Sequence, residues 1–303
     1  MTYRVTPFSD SVRRIALTPP LEGFDEFICA WVLTGAKTFL VDPGPAVTIK
    51  PLLAALAEIG LDRLDAILLT HIHIDHAGGI GEIASAFPEA PIVCHEAAMP
   101  HLVDPEKLWQ GTLKTLGETA RAYGPISPVP RNRLIAAEQW SEDSVRAILT
   151  PGHAVHHVSY LAADGTLFAG EAGGVNIDFG TGRTYLRPAT PPRFDLEISA
   201  ASIDRLLAEN PATICYGHTA CRSNAVKWLQ THKGQLYAWE KIIAEELRKE
   251  ADETVVGRCA DRLLAEDPLL SGLADAPATV HWRERFFMKN SIRGFIGYIA
   301  ESS

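Results

Sequence analysis

Three histidines and an aspartate fall within six residues of one another, His71-Ile72-His73-Ile74-Asp75-His76, and no other feature limits the folding of this chain as tightly. The segment follows directly on residues 64–70, a short apolar run with the make-up of a buried strand. Residues 71–79 then read as a loop. Side chains alternate along an extended backbone, so His71 and His73 point the same way. Asp75 and His76 follow at a bend, facing a second point a few ångströms off. A strand does not easily converge four donors on one place, whereas a loop at a strand's end does. Imidazoles grouped with a carboxylate suit zinc, iron or manganese.

The surrounding sequence supplies strands of this kind repeatedly. Residues 27–34 and 38–41 are apolar and β-prone around Gly35-Ala36-Lys37, a hairpin signal, and Asp42-Pro43-Gly44-Pro45 breaks the second of them. Residues 46–59 carry apolar positions at helical spacing up to Gly60. The spacing predicts a further helix over 80–87 and strands over 91–95 and 145–150, the latter running into Pro151-Gly152-His153. Two β-prone segments, 158–162 and 166–169, flank Asp164-Gly165. A helix is expected over 194–209 and a strand over 213–216, ending at Gly217-His218. Strand–helix alternation with hairpins argues an α/β fold with mixed sheets. Residues 97–140 break the rhythm with a helical stretch (105–123) and a proline-rich loop, read as an inserted cap or an ordinary surface excursion. From residue 223 to 303 the chain reads as helical, Ala225–Lys249 being the longest run.

Composition excludes several classes. With 28 basic and 37 acidic residues the formal charge is −9, which disfavours nonspecific binding of nucleic acid or an anionic membrane surface. Apolar content of 47% and charged content of 21% are those of a soluble globular protein. The five cysteines are odd in number and lack a C-x-x-C, so they are expected as reduced thiols in a cytoplasmic protein. No signal-peptide pattern and no membrane span of about 18 apolar residues is present in the sequence.

The pattern H-x-H-x-D-H resembles the signature of the metallo-β-lactamase-fold hydrolases, and further pieces fall in the same order over residues 25–220. The resemblance implies a four-layer αββα sandwich of two mixed β-sheets flanked by helices. It implies a catalytic domain over 1–222, with 97–140 as a helical cap insertion, and a C-terminal helical extension over 223–303. It also implies two divalent metal ions, zinc first and iron or manganese as alternatives. His71, His73 and His153 would hold one ion and Asp75, His76 and His218 the other, with Glu171 bridging. The family usually carries an aspartate at the position of Glu171, one methylene shorter, and Gly170, Gly173 and Gly174 would let the backbone adjust. Asp42 would support the site from behind the ligands. His157 either does the same or is a packing histidine. Tyr185, Arg187 and Arg193 lie where relatives often contact substrate, and are otherwise surface residues.

The activity so implied is hydrolysis of a small ester-like bond, a thioester or a lactone, by a metal-bound hydroxide. Asp75 would orient the attacking water or accept its proton. The alternatives are an iron-dependent sulfur dioxygenase-type oxidoreductase and, below it, a phosphodiesterase or nuclease. No G-x-S-x-G occurs to suggest a serine hydrolase. The expected partner is a small-molecule substrate, with no nucleic acid and no membrane. The tryptophans Trp228, Trp239 and Trp282 are read as packing the C-terminal helices onto the core or forming a homodimer interface.

Overall fold

The computed structural model describes residues 2–249 and 252–302. The chain forms two compact units, Met1–Leu149 with Val158–Asp164, and Thr150–His157 with Gly165–Ser303. In the first unit, β1 (Tyr3–Pro7), β2 (Val12–Leu17), β3 (Ile28–Leu33) and β4 (Phe39–Val41) form an antiparallel meander. The sheet continues as parallel strands β5 (Ala66–Leu68), β6 (Ile92–Cys94) and β7 (Leu134–Ala136), giving seven strands in sequence order. Each parallel step needs a crossover. Helix α1 (Ile49–Glu58) supplies the one before β5, and α2 (Ile74–Ala77) with α3 (Ile80–Ala86) the one before β6. The crossover before β7 holds α4 (Met99–Val103), α5 (Glu106–Leu116) and α6 (Glu118–Tyr123).

All residues of β3, β4 and β5 are buried without alternation, as expected of strands covered on both faces. The single helix expected over 105–123 is broken at Gly117, whose φ of 54° is a left-handed conformation that glycine adopts at no steric cost. Helix α5 buries none of its side chains, whereas α6 buries Thr119, Ala120 and Tyr123. A hairpin of β8 (Val145–Leu149) and β9 (Val158–Ala162) completes this unit. Its Tyr160 is fully buried and donates its hydroxyl toward the carbonyls of Leu69 and Val93 at 2.9 and 3.1 Å, which ties β9 to the ends of β5 and β6.

The second unit opens with β10 (Thr166–Gly170) and adds a short hairpin of β11 (Val175–Asn176) and β12 (Leu186–Arg187). Helix α7 (Leu196–Ala208) begins at Asp195, whose side chain accepts from the Ile198 N–H at 2.9 Å as an N-cap. Strand β13 (Thr213–Tyr216) runs parallel to β10, and β14 (Cys221–Ser223) antiparallel to β13. The helices α8 (Ala225–Lys249), α9 (Val255–Glu266) and α10 (Ala278–Ser302) follow, with a 3-10 turn over Pro268–Asp275 before the last. Along α8 the buried Leu229, Leu236, Trp239 and Ile243 recur at helical spacing. Trp239 and Phe194 both pack on Phe295, with ring centroids 6.1 and 4.8 Å apart. Trp239 is thus a core residue, whereas Trp282 is exposed and stacks on Phe286. Among the described residues no helix is long and apolar enough to cross a membrane.

The centre of this helical layer is ionic. Glu284 on α10 is fully buried and accepts from the Tyr185 hydroxyl at 2.8 Å, Arg187 Nε at 2.6 Å and Arg283 Nε at 2.8 Å. Burial by itself would raise its pKa, but Arg187 and Arg283 outweigh that and pull it down to about 2. A folded-state pKa below the unfolded one adds stability above the unfolded value, and that stability disappears as pH falls toward the folded value. Glu284→Gln is therefore expected to remove part of the acid dependence of stability between about pH 4.5 and 2. Glu284→Ala is expected to cost about 3–5 kcal/mol at neutral pH, because two buried guanidinium groups lose their counter-ion. Urea midpoints measured across this pH range check both.

Candidate metal centre

The histidine-rich segment leaves the sheet at the C-terminal end of β5. His71 and His73 flank Ile72, which like His71 is 1% exposed. Their rings lie with centroids 4.6 Å apart, and those of His71 and His76 are 4.3 Å apart. The expected loop is interrupted by the one-turn helix α2, in which the His76 and Ala77 amides donate to the His73 carbonyl at 3.0 and 2.9 Å. This turn brings Asp75 and His76 together, with Oδ2 of Asp75 3.7 Å from Nε2 of His76.

Asp42 organises the segment from the end of β4. It is 2% exposed and adopts φ 52°, a left-handed conformation that aspartate tolerates better than most residues. Its carboxylate accepts from the Thr70 amide at 2.8 Å and the Thr70 hydroxyl at 2.6 Å, and lies 3.0 Å from Nδ1 of His76. A carboxylate only accepts, so Nδ1 of His76 carries the proton and Nε2 is its lone-pair nitrogen. The single proton of the Thr70 hydroxyl is committed to Asp42. In the 3.0 Å contact between Thr70 Oγ1 and His71 Nδ1, the imidazole is therefore the donor. Both rings are thereby set in the tautomer that offers Nε2, the arrangement found behind metal-bound imidazoles.

The remaining candidates lie in the second unit. His153 sits in the turn after Pro151 and donates Nδ1–H to the Ala189 carbonyl at 2.8 Å. Its Nε2 is 2.7 Å from Glu171 Oε2, and His218 Nε2 is 3.4 Å from Glu171 Oε1. Burial alone would raise the pKa of Glu171, but His153 and then His218 outweigh it and hold the carboxyl well below the usual range. With Nδ1 of His153 spent as a donor, its close contact with the carboxylate is that of an imidazolium. A metal cation between the two would take the proton's place. His157 is fully buried, donates Nδ1–H to Thr150 Oγ1 at 2.9 Å, and accepts the Glu171 amide at Nε2, 3.2 Å away. It thus holds the backbone of Glu171. His218 lies two residues past the end of β13, in a turn whose next residue, Thr219, has φ 50°, an outlier for a β-branched residue.

The family model described as the metallo-β-lactamase superfamily matches residues 26–218, which include every one of these candidates. The chain belongs to the metallo-β-lactamase superfamily. A hydroxyacylglutathione hydrolase of Acidiphilium cryptum is 31% identical over 252 residues, covering 81% of this chain and 87% of that protein. A metallo-β-lactamase fold-containing protein of Sulfurisphaera tokodaii is 29% identical over 234 residues, 74% of this chain and 83% of its own length. Among solved structures, an archaeal metallo-β-lactamase superfamily protein from Sulfolobus tokodaii has a TM-score of 0.69 at 24% identity, with 95% of this chain and 99% of that one covered. A metallo-β-lactamase family protein from Thermus thermophilus has a TM-score of 0.64 at 21% identity, covering 98% and 95%. The α/β architecture with mixed sheets and C-terminal helices is thus that of the metallo-β-lactamase fold, in a superfamily of metal-dependent hydrolases.

Within this member of the metallo-β-lactamase superfamily, Tyr185 and Arg187 are buried rather than at the surface. They are 0% and 3% exposed, and both bind Glu284. The structure gives them an internal role, because a buried guanidinium requires a carboxylate partner and Glu284 on α10 supplies it. Arg193 is exposed, with a φ of 75°. Beside His153 and Glu171 lies a small open cleft bounded by Phe194, Leu236, Thr190 and Ser202. Sequence reasoning missed Thr70, Ala189 and Glu284. Thr70 and Ala189 act through a hydroxyl shared with Asp42 and a main-chain carbonyl, neither of which has a sequence signature.

Thr70→Val keeps the shape of the side chain and removes the hydroxyl between Asp42 and His71. It is expected to cost about 1–3 kcal/mol. Nitrogen NMR of the metal-free protein should show His71 and His76 as Nδ1–H tautomers in the parent chain. In the variant, only His71 is expected to lose that fixed assignment.

Proposed function

We propose that this chain is a metal-dependent hydrolase of a small ester-like substrate, with a thioester ahead of a lactone. The observation that carries the reading is the fixing of three imidazoles through Nδ1, by Asp42, Thr70 and the Ala189 carbonyl, which leaves Nε2 of His71 and His76 as lone-pair nitrogens and directs Nε2 of His153 at Glu171. In this reading His71, His73, His153 and Glu171 hold one divalent ion, and Asp75, His76 and His218 a second. Zinc suits such nitrogen and oxygen donors, and iron and manganese accept the same set. Glu171 has both carboxylate oxygens directed at histidines, Oε2 at His153 and Oε1 at His218, which supports a bridging role. The thioester assignment is supported by the relatives named hydroxyacylglutathione hydrolase, among them that of Acidiphilium cryptum at 31% identity.

When bound, a divalent metal supplies a Lewis acid and makes water acidic enough to serve as a nucleophile near pH 7. The chain's own residues do the rest. Asp75 orients the water and accepts its proton, and its side chain, 19% exposed, keeps access to solvent. His157 and Thr150 hold the Glu171 main chain, so that its carboxylate does not drift as the substrate enters.

The test is elemental analysis of protein purified without added metal, followed by a panel of thioester, lactone and phosphodiester substrates. Stoichiometric zinc with thiol release from the thioester is the expected result. Stoichiometric iron with oxygen uptake on a persulfide would instead establish the sulfur dioxygenase alternative. Asp75→Asn is expected to lower kcat by about a hundredfold or more, and near-normal turnover would sink its assigned role. Asp42→Ala is expected to weaken metal affinity about 10–100-fold, read by competition with a chromogenic chelator.

A further inference from the structure

The turn that presents His218 is closed at its base by two cysteines. Cys215 on β13 and Cys221 on β14 are directly opposed in the antiparallel register. The next pair inward is hydrogen-bonded, Tyr216 N–H to the Ala220 carbonyl at 3.0 Å, so Cys215 and Cys221 occupy a non-hydrogen-bonded position, where opposed side chains come closest. Their Sγ atoms are 3.2 Å apart. Strand β14 lies at the edge of its sheet, and Cys221 is partly exposed while Cys215 is buried. The other three cysteines, Cys29, Cys94 and Cys259, are buried. Burial pushes the thiols of Cys94 and Cys259 up to about 12 and about 11, which makes them poor nucleophiles.

We infer that Cys215 and Cys221 are a redox modification site, forming a reversible disulfide with low-molecular-weight disulfides as the oxidant and restraining the turn that carries His218. The Cys221 thiolate attacks one sulfur of R–S–S–R, forming a mixed disulfide and releasing R–S⁻. Cys215 then gives up its proton and attacks the Cys221 sulfur, forming the Cys215–Cys221 bond and releasing a second R–S⁻. Two thiols are oxidised and one reagent disulfide is reduced to two thiols. The bond needs only a short approach of the two sulfurs, because an opposed strand pair already supplies the spacing of the two backbones. Its consequence falls on residues 216–220, where Thr219 is held at φ 50° next to His218. Cross-linking the base of this turn limits its opening.

The purified full-length protein is incubated in oxidised and reduced glutathione at varied ratios, denatured, alkylated and digested with trypsin. The peptide spanning residues 206–222 contains both cysteines. The expected result is that this peptide loses two hydrogens and escapes alkylation in oxidising buffer, that dithiothreitol reverses this, and that the other three cysteines stay alkylatable. Amide hydrogen exchange at 216–220 should slow in the oxidised form. Full alkylation of both cysteines at every ratio, arrest at a glutathione adduct on Cys221, or unchanged exchange in the turn would each overturn the inference. Cys221→Ser is expected to abolish the cyclic peptide. The wild-type mass measurement stands without this variant should it fold poorly, and none of these readouts depends on the metal or on turnover.

Discussion

The carboxylate of Asp42 is the interaction on which the histidine-rich segment depends. One buried side chain takes the Thr70 amide, the Thr70 hydroxyl and Nδ1 of His76. It sets the tautomer of His76 directly and that of His71 through the Thr70 hydroxyl. Such a chain of hydrogen bonds polarises along its length, and in a low-dielectric interior each link strengthens the next. The geometry requires the chain to turn sharply at the end of β4, beside the end of its parallel neighbour β5. The left-handed Asp42 and the amide of Gly44, which donates to the His76 carbonyl at 2.8 Å, make that turn. A charge buried to this degree is costly unless every lone pair it directs inward is met. The sequence Asp42-Pro43-Gly44-Pro45 and the segment Thr70–His76 are therefore one device in two pieces.

The second unit reaches the same end with different chemistry. His153 is oriented by a main-chain carbonyl, and the main chain of Glu171 by the lone pair of His157. Gly170, with a φ of 55°, turns the chain at the end of β10 immediately before Glu171. The carboxylate then reaches both His153 and His218 within one unit.

What the sequence made legible was local. His71, His73, Asp75 and His76 stand within six residues after one strand end, a spacing visible without any long-range information. Helix α8 has the expected bounds because its apolar stripe is long and regular. The one-turn α2 was too short to register as a period, and α5 shows an amphipathic pattern yet buries nothing. The resemblance places Tyr185 and Arg187 where relatives often contact substrate, and the structure buries both. Their partner Glu284 is 97 and 99 residues away on α10, and nothing local to either segment announces it. Long-range pairing of buried charge is the part of this structure that a single sequence conceals.

That pairing bears on His153. The segment after β12 is held from several sides: Thr190 Oγ1 donates to the Ser291 carbonyl at 2.9 Å, Ser291 Oγ to the Pro188 carbonyl at 3.0 Å, and Gln235 Nε2 to the Leu186 carbonyl at 2.6 Å. Gly294 lets α10 come close enough that a Cβ there would stand 2.2 Å from the Thr190 carbonyl oxygen. Ala189 lies inside this clamped stretch, and its carbonyl is the acceptor that orients His153. Mutating Ala189 leaves that carbonyl in place, so the orientation of His153 is governed by whatever fixes the backbone from 185 to 191. In this chain that is the ionic cluster at Glu284 and the close approach of α10. The C-terminal helices therefore act as the rear support of a proposed ligand in the same unit, and their packing is tied to the chemistry of that site.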